Sequence, residues 1–149
     1  MPPSRNQMNI TKLDLMICPE PLRPLEDIKN IIFDIKKPNW SLRSENFIAG
    51  YLLADLNQED TFDLINKVIQ KNFVNIKFIL YAGNRYVFDL IKKADNLYDI
   101  NCLNSIKKDN DPKRFGLWKS YKNVKIDNCV EKIAESFNQM EKEFVLGTF

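Results

Sequence analysis

Three groups of side chains in this sequence have the types and spacing to do chemistry. The first lies between residues 104 and 126, which carry seven basic and two acidic side chains. There Lys113, Arg114 and Lys119 alternate with Phe115, Trp118 and Tyr121. Cations in such a stretch neutralise phosphates or an acidic surface, and aromatic faces between them stack on bases or anchor a partner. The second is Glu131 and Glu135, continued by Gln139 and Glu143 at steps of four. Four-residue steps put these groups on one side of a helix, where an acidic face steers a basic partner. The third is Glu20, Asp55, Asn84 and Arg85, each at or just beyond the end of an apolar run. Two carboxylates give oxygen ligands for Mg2+, and an arginine beside free backbone amides gives an anion site.

Absent residue types narrow the chemistry further. The 149 residues include no histidine. This excludes Ser-His-Asp and Cys-His catalysis and the usual zinc sites. The four glycines are scattered, so neither a phosphate-cradling loop nor a dinucleotide fingerprint is present. Cys18, Cys102 and Cys129 are odd in number and far apart, which points to reduced, buried thiols in a reducing compartment, hence a cytoplasmic protein. No apolar run is long enough to span a bilayer, and no membrane partner is expected. No metal, cofactor or catalytic residue is expected in the leading reading.

The elements that must position these groups are read from periodicity. Residues 76–82 form a near-continuous apolar run, as in a strand covered on both faces, and Gly83-Asn84 stops it. Val87, Leu90, Ile91 and Ala94 then fall at helical spacing, predicting a helix to about residue 96. Further strands are expected over 9–17, 47–56 and 97–103, with a helix as the alternative over 47–56 because Ala and Leu suit either form, and 39–45 fits either a short edge strand or a loop. Leu25, Ile28, Ile31, Ile32 and Ile35 predict a helix from Pro24 to about Lys37. Asn57 followed by Asp60 marks the cap of another, with Leu64, Ile65, Val68 and Ile69 as its buried stripe. Residues 127–145 form a long amphipathic C-terminal helix through Val130, Ile133, Phe137, Met140 and Phe144.

Alternating strands and helices predict an α/β fold in a single domain. The expected form is a three-layer-like sandwich, with a sheet of three or four mostly parallel or mixed strands flanked by about four helices. Residues 1–8 are expected to be a flexible N-terminus, residues 9–149 the domain, and residues 104–126 a basic, aromatic-bearing loop. The net charge of +2 hides a local asymmetry, with +5 over 104–126 and −3 over 127–149.

Three functional expectations follow, in order. The first is a small cytoplasmic protein-binding module, such as an inhibitor or immunity protein that neutralises a toxin. It would meet its partner through Lys113, Arg114, Trp118, Lys119, Tyr121, Glu131 and Glu135. The second is an open α/β enzyme acting on a phosphorylated small molecule or nucleotide with Mg2+. Its ligand-binding residues would be Glu20, Asp55, Asn84 and Arg85, gathered where the strands of a parallel sheet end. The third is a nucleic-acid-associated protein using the basic 104–126 segment.

Overall fold

Alternation with period two, rather than helical spacing, organises most of the chain. A computed structural model describes residues 12–20, 41–45, 50–105 and 115–145. The N-terminal eight residues and the helix expected over 24–37 lie outside them. The described elements run β1 (Leu13–Glu20), β2 (Ser41–Glu45), β3 (Gly50–Leu56), α1 (Gln58–Ile69), β4 (Asn75–Tyr81), β5 (Arg85–Ala94), β6 (Leu97–Ser105), β7 (Phe115–Lys125) and α2 (Cys129–Val145). A single 3-10 turn, Ile126–Asn128, leads into α2.

All seven strands form one sheet, in the order β2-β3-β1-β4-β5-β6-β7. Every neighbouring pair is antiparallel. This corrects the expected fold class: the sheet is neither parallel nor limited to four strands, and two helices accompany it among the described residues. The connections explain the outcome. Tyr81 pairs with Arg85 across the three-residue turn Ala82–Asn84, and Ala94 pairs with Leu97 across Asp95-Asn96. Connections this short can join only antiparallel strands, because a parallel pair needs a crossover of a dozen residues or more. Gly83 takes the first turn at φ 73°, and the Ala82 N–H donates to the Asn84 carbonyl at 2.9 Å.

The helix expected over 84–96 is therefore β5. Its Tyr86, Phe88 and Leu90 are buried on the face shared with the helices, and Val87, Asp89 and Ile91 point the other way. Of the four residues that suggested a helix, Val87 and Ile91 lie on one face of the strand and Leu90 on the other, while Tyr86, Phe88 and Leu90 alternate. One β-α-β unit does exist. β3 and β4 both run antiparallel to β1, so they are parallel to each other, and α1 joins them across it. Asn57 caps α1 as its sequence predicts, its Oδ1 accepting the Asp60 N–H at 2.8 Å. Pro19 lies within β1 rather than ending it. Pairing with β3 stops at Ile17, so the missing N–H of Pro19 removes no bond from that ladder.

One core joins these elements in two layers. Leu15, Ile17, Phe78, Phe88, Ile100 and Cys102 face Leu64, Ile65 and Val68 of α1 and Ile133, Phe137 and Met140 of α2. Phe137 is its hinge point, with ring centroids 5.7 Å from Phe62 and 5.1 Å from Tyr86. Tyr98 is buried, and its hydroxyl donates to the Phe73 carbonyl at 2.6 Å. The opposite face of the sheet carries an apolar row in register across six strands: Leu52, Met16, Ile79, Val87, Leu103 and Leu117. Beside it runs a polar row, with Lys77 Nζ 3.8 Å from Asp89 Oδ1.

Candidate functional site

The segment expected to be a basic loop is instead, over Phe115–Lys125, the strand β7 at one edge of the sheet. Two bulges break its alternation. Leu117 opposes Leu103 while Lys119 opposes Cys102, so Trp118 is the extra residue of the first. Tyr121 opposes Ile100 while Val124 opposes Tyr98, so Lys122 and Asn123 together oppose Asp99. Asn123 absorbs the second bulge at φ 55°, a conformation asparagine tolerates better than most residues. Bulges and lysines along an edge also discourage pairing with a stray strand.

Asp99 anchors the second bulge. Its Oδ1 accepts the Asn123 N–H at 2.9 Å, and its Oδ2 lies 3.6 Å from Lys122 Nζ and 3.7 Å from Lys93 Nζ. The Asn123 hydrogen bond, aided by the two ammonium groups and opposed by partial burial, holds the Asp99 carboxyl below the usual carboxylate range. On the open face Asp89 goes the other way, raised by burial that Lys77 only partly offsets. On acidification Asp89 is expected to protonate first and Asp99 last, on opposite sides of the ordinary value of about 3.9. The depressed Asp99 contributes stability that is present above the ordinary value and lost as pH falls through its own. Charged Asp89 opposes folding at neutral pH and is relieved as pH falls through its raised value. Carboxyl carbon shifts followed against pH check this, and the reverse order would refute it.

Trp118 and Tyr121 of β7 are half-buried and held by α2. Trp118 Nε1 donates to Glu143 Oε1 at 3.1 Å, and the Tyr121 hydroxyl lies 3.0 Å from Ser136 Oγ. The Tyr121 ring is flanked by Lys119 Nζ at 5.0 Å and Lys132 Nζ at 5.5 Å from its centroid. Beyond that ring opens a cleft of about 360 Å³ lined by Tyr121, Lys122, Asn123, Lys125, Asn128 and Lys132. Three lysines and two asparagines are among its lining, and Lys122 is itself paired with Asp99.

The structure brings together part of the expected partner-binding set. Trp118, Lys119 and Tyr121 form one surface with α2. Lys113 and Arg114 lie outside the described residues. Glu131 and Glu135 are exposed on α2, but one position off the stripe of Lys132 and Ser136 that meets Tyr121. Their own stripe continues to Asn138, which accepts from Gln58 of α1 at 2.6 Å. Of the acidic helix face, Glu143 meets the strand through Trp118, whereas Glu131 and Glu135 lie off the stripe that packs on Tyr121. Asn123, Asn128 and Lys132 join the site unannounced by the sequence. Lys122 and Lys125 sit in its basic stretch, and Lys122 reaches Asp99 on β6.

The alternative ligand set is dispersed, because an antiparallel sheet has no common carboxyl edge. Glu20 lies at one end of β1, opposite Asn75. Asp55 lies near the other end, at φ 63° in a bulge, its N–H donating to Asp14 Oδ1 at 3.1 Å. Six residues of strand, roughly 20 Å, separate Glu20 from Asp14, so Glu20 and Asp55 cannot share an ion. Asn84 is buried in the hairpin turn, and Arg85 is exposed with its guanidinium carbon 5.9 Å from the Tyr81 ring centroid. Among the described residues no three histidine, cysteine or carboxylate side chains are grouped to hold a metal. Cys102 and Cys129 are buried and Cys18 partly so, all as free thiols. Burial raises each of them, Cys129 to about 11, which disfavours the nucleophilic thiolate.

No helix among the described residues is long and apolar enough to cross a membrane. Comparison with known protein families, with curated proteins and with solved structures yields no match for this chain.

Proposed function

We propose that this chain is a protein-binding module that docks an acidic surface of a partner against β7 and the first turns of α2. The observation that carries the reading is Tyr121 flanked by Lys119 and Lys132, beside a cleft that Lys122 and Lys125 also line. Aromatic residues fixed by packing and hydrogen bonds hold such cations in place, so less freedom is lost on binding. A nucleic-acid role is less well supported by the same residues. Trp118 and Tyr121 are half-buried and tied to α2, and ammonium groups occupy the flanks of the Tyr121 ring where a base would stack. The finer form of the proposal is an inhibitor or immunity role, in which docking masks an active partner such as a toxin. The three free thiols support a reducing, cytoplasmic setting for it.

Affinity capture from a lysate of the source cells tests the reading, using the full chain and a Lys119→Glu, Lys122→Glu, Lys132→Glu variant at two salt concentrations. One protein retained in a stoichiometric complex by the unaltered chain, and lost at least tenfold from the variant, is the expected result. Recovery of nucleic acid instead, falling away linearly in log–log salt dependence, would overturn it.

A further inference from the structure

The cleft beside Tyr121 has a composition more specific than a basic surface. We infer that it is a binding site for a phosphomonoester, carried on a serine or threonine of the docked partner. The partner as the source of the phosphate rests on the binding-module reading; the chemistry of the site rests on the cleft itself.

Lys122, Lys125 and Lys132 line the cleft from two elements, β7 and α2, and among the described residues the one carboxylate tied to them is Asp99, whose Oδ2 lies 3.6 Å from Lys122 Nζ. A carboxylate brings one negative charge and two oxygens. A phosphomonoester brings nearly two charges and three terminal oxygens at neutral pH. Lys125 and Lys132, with the carboxamides of Asn123 and Asn128 as further donors, supply the cations and N–H donors that the second calls for, while Lys122 is shared with Asp99.

Position supports the same match. Asp99 binds Lys122 and the Asn123 N–H from the strand behind, which fixes the bulge that forms one wall. Lys132 lies over the Tyr121 ring, which the Ser136 hydroxyl holds to α2 on the other side. The volume of about 360 Å³ admits a phosphorylated side chain and is at the small end for ligand pockets in general.

The test titrates the isotopically labelled full chain with three short peptides of one sequence, bearing phosphoserine, glutamate or serine at the centre. Saturable amide shifts at Lys122, Asn123, Lys125 and Asn128 are expected with the phosphoserine peptide, at an affinity at least tenfold above the glutamate peptide. Lys125→Gln with Lys132→Gln should weaken that binding at least tenfold, whereas Lys142→Gln, near the far end of α2, should leave it unchanged. Equal binding of phosphoserine and glutamate peptides would overturn the inference, as would shifts scattered over the surface. Adenosine monophosphate binding more tightly than the phosphopeptide would overturn the partner as source. If the phosphopeptide fails while the lysine-reversed chain still loses its captured protein, this inference falls and the binding-module reading stands.

Discussion

Truncating Phe137 to alanine is expected to lower the stability of the protein by about 3–5 kcal/mol. Phe137 is 3% exposed and sits where three elements meet, edge-on to Phe62 of α1 and to Tyr86 of β5. Its removal takes a large apolar side chain from the core and two aromatic contacts with it. The neighbours cannot close the void freely. Tyr86 is pinned by its hydroxyl to Glu141 of the same helix, and Phe62 sits on α1, which the Asn57 cap and the Gln58–Asn138 bond hold in place. A domain of this size is stable by only about 5–15 kcal/mol, so the loss would be a large share of the total. Phe137→Leu keeps most of the volume and should cost less than about 1.5 kcal/mol. Denaturant unfolding of the two variants, compared at equal slope, decides the matter. A Phe137→Ala cost below about 1 kcal/mol would show that α1 and α2 do not share the core through this ring.

The contrast between α2 and β5 shows where the sequence was legible. The stripe Val130, Ile133, Phe137, Met140 and Phe144 repeats over about four turns with polar residues between, and no strand pattern competes with it. The Asn57 cap was legible for the same reason, since a side-chain acceptor three residues before its donor is a local device. In β5 the residues Val87, Leu90, Ile91 and Ala94 satisfy a helical period, while Tyr86, Phe88 and Leu90 satisfy an alternating one. Short apolar runs leave that choice to their surroundings. The deciding information was in the connections: three residues after Tyr81 and two after Ala94 are too few for a parallel return. β7 was hidden differently. Its two bulges interrupt the alternation at Trp118 and at Lys122-Asn123, so the segment reads as a polar loop with stray aromatics. The candidate site inherits both difficulties. Trp118, Lys119 and Tyr121 stood out by composition, but Lys132 joins them only because α2 folds back along β7 and sets it over the Tyr121 ring. Glu131 and Glu135, one position away, face elsewhere, and helix periodicity alone could not say which stripe meets the strand.

Gly50 offers a second large effect, this time from adding atoms. It opens β3 beside β1, and a Cβ placed there would lie 2.7 Å from Cys18 Sγ, 2.9 Å from the Ile17 carbonyl oxygen and 3.0 Å from Met16 Sδ. Methionine bends away at little cost, and the cysteine side chain can rotate. The Ile17 carbonyl cannot yield in the same way, because it belongs to a central strand paired on both sides. Gly50→Ala also stiffens the unfolded chain, which favours folding by about 0.4–1 kcal/mol. Forcing a methyl group against fixed backbone costs about 1–3 kcal/mol, so the clash wins and the variant should be less stable. Cys18→Ala in the same chain removes the nearest contact and separates the two causes. Their coupling, measured as a double-mutant cycle, should recover part of the loss and leave the part owed to the Ile17 carbonyl. Full recovery would place the whole clash on sulfur. A Gly50→Ala chain as stable as the original would mean that β3 approaches β1 less closely than this geometry requires.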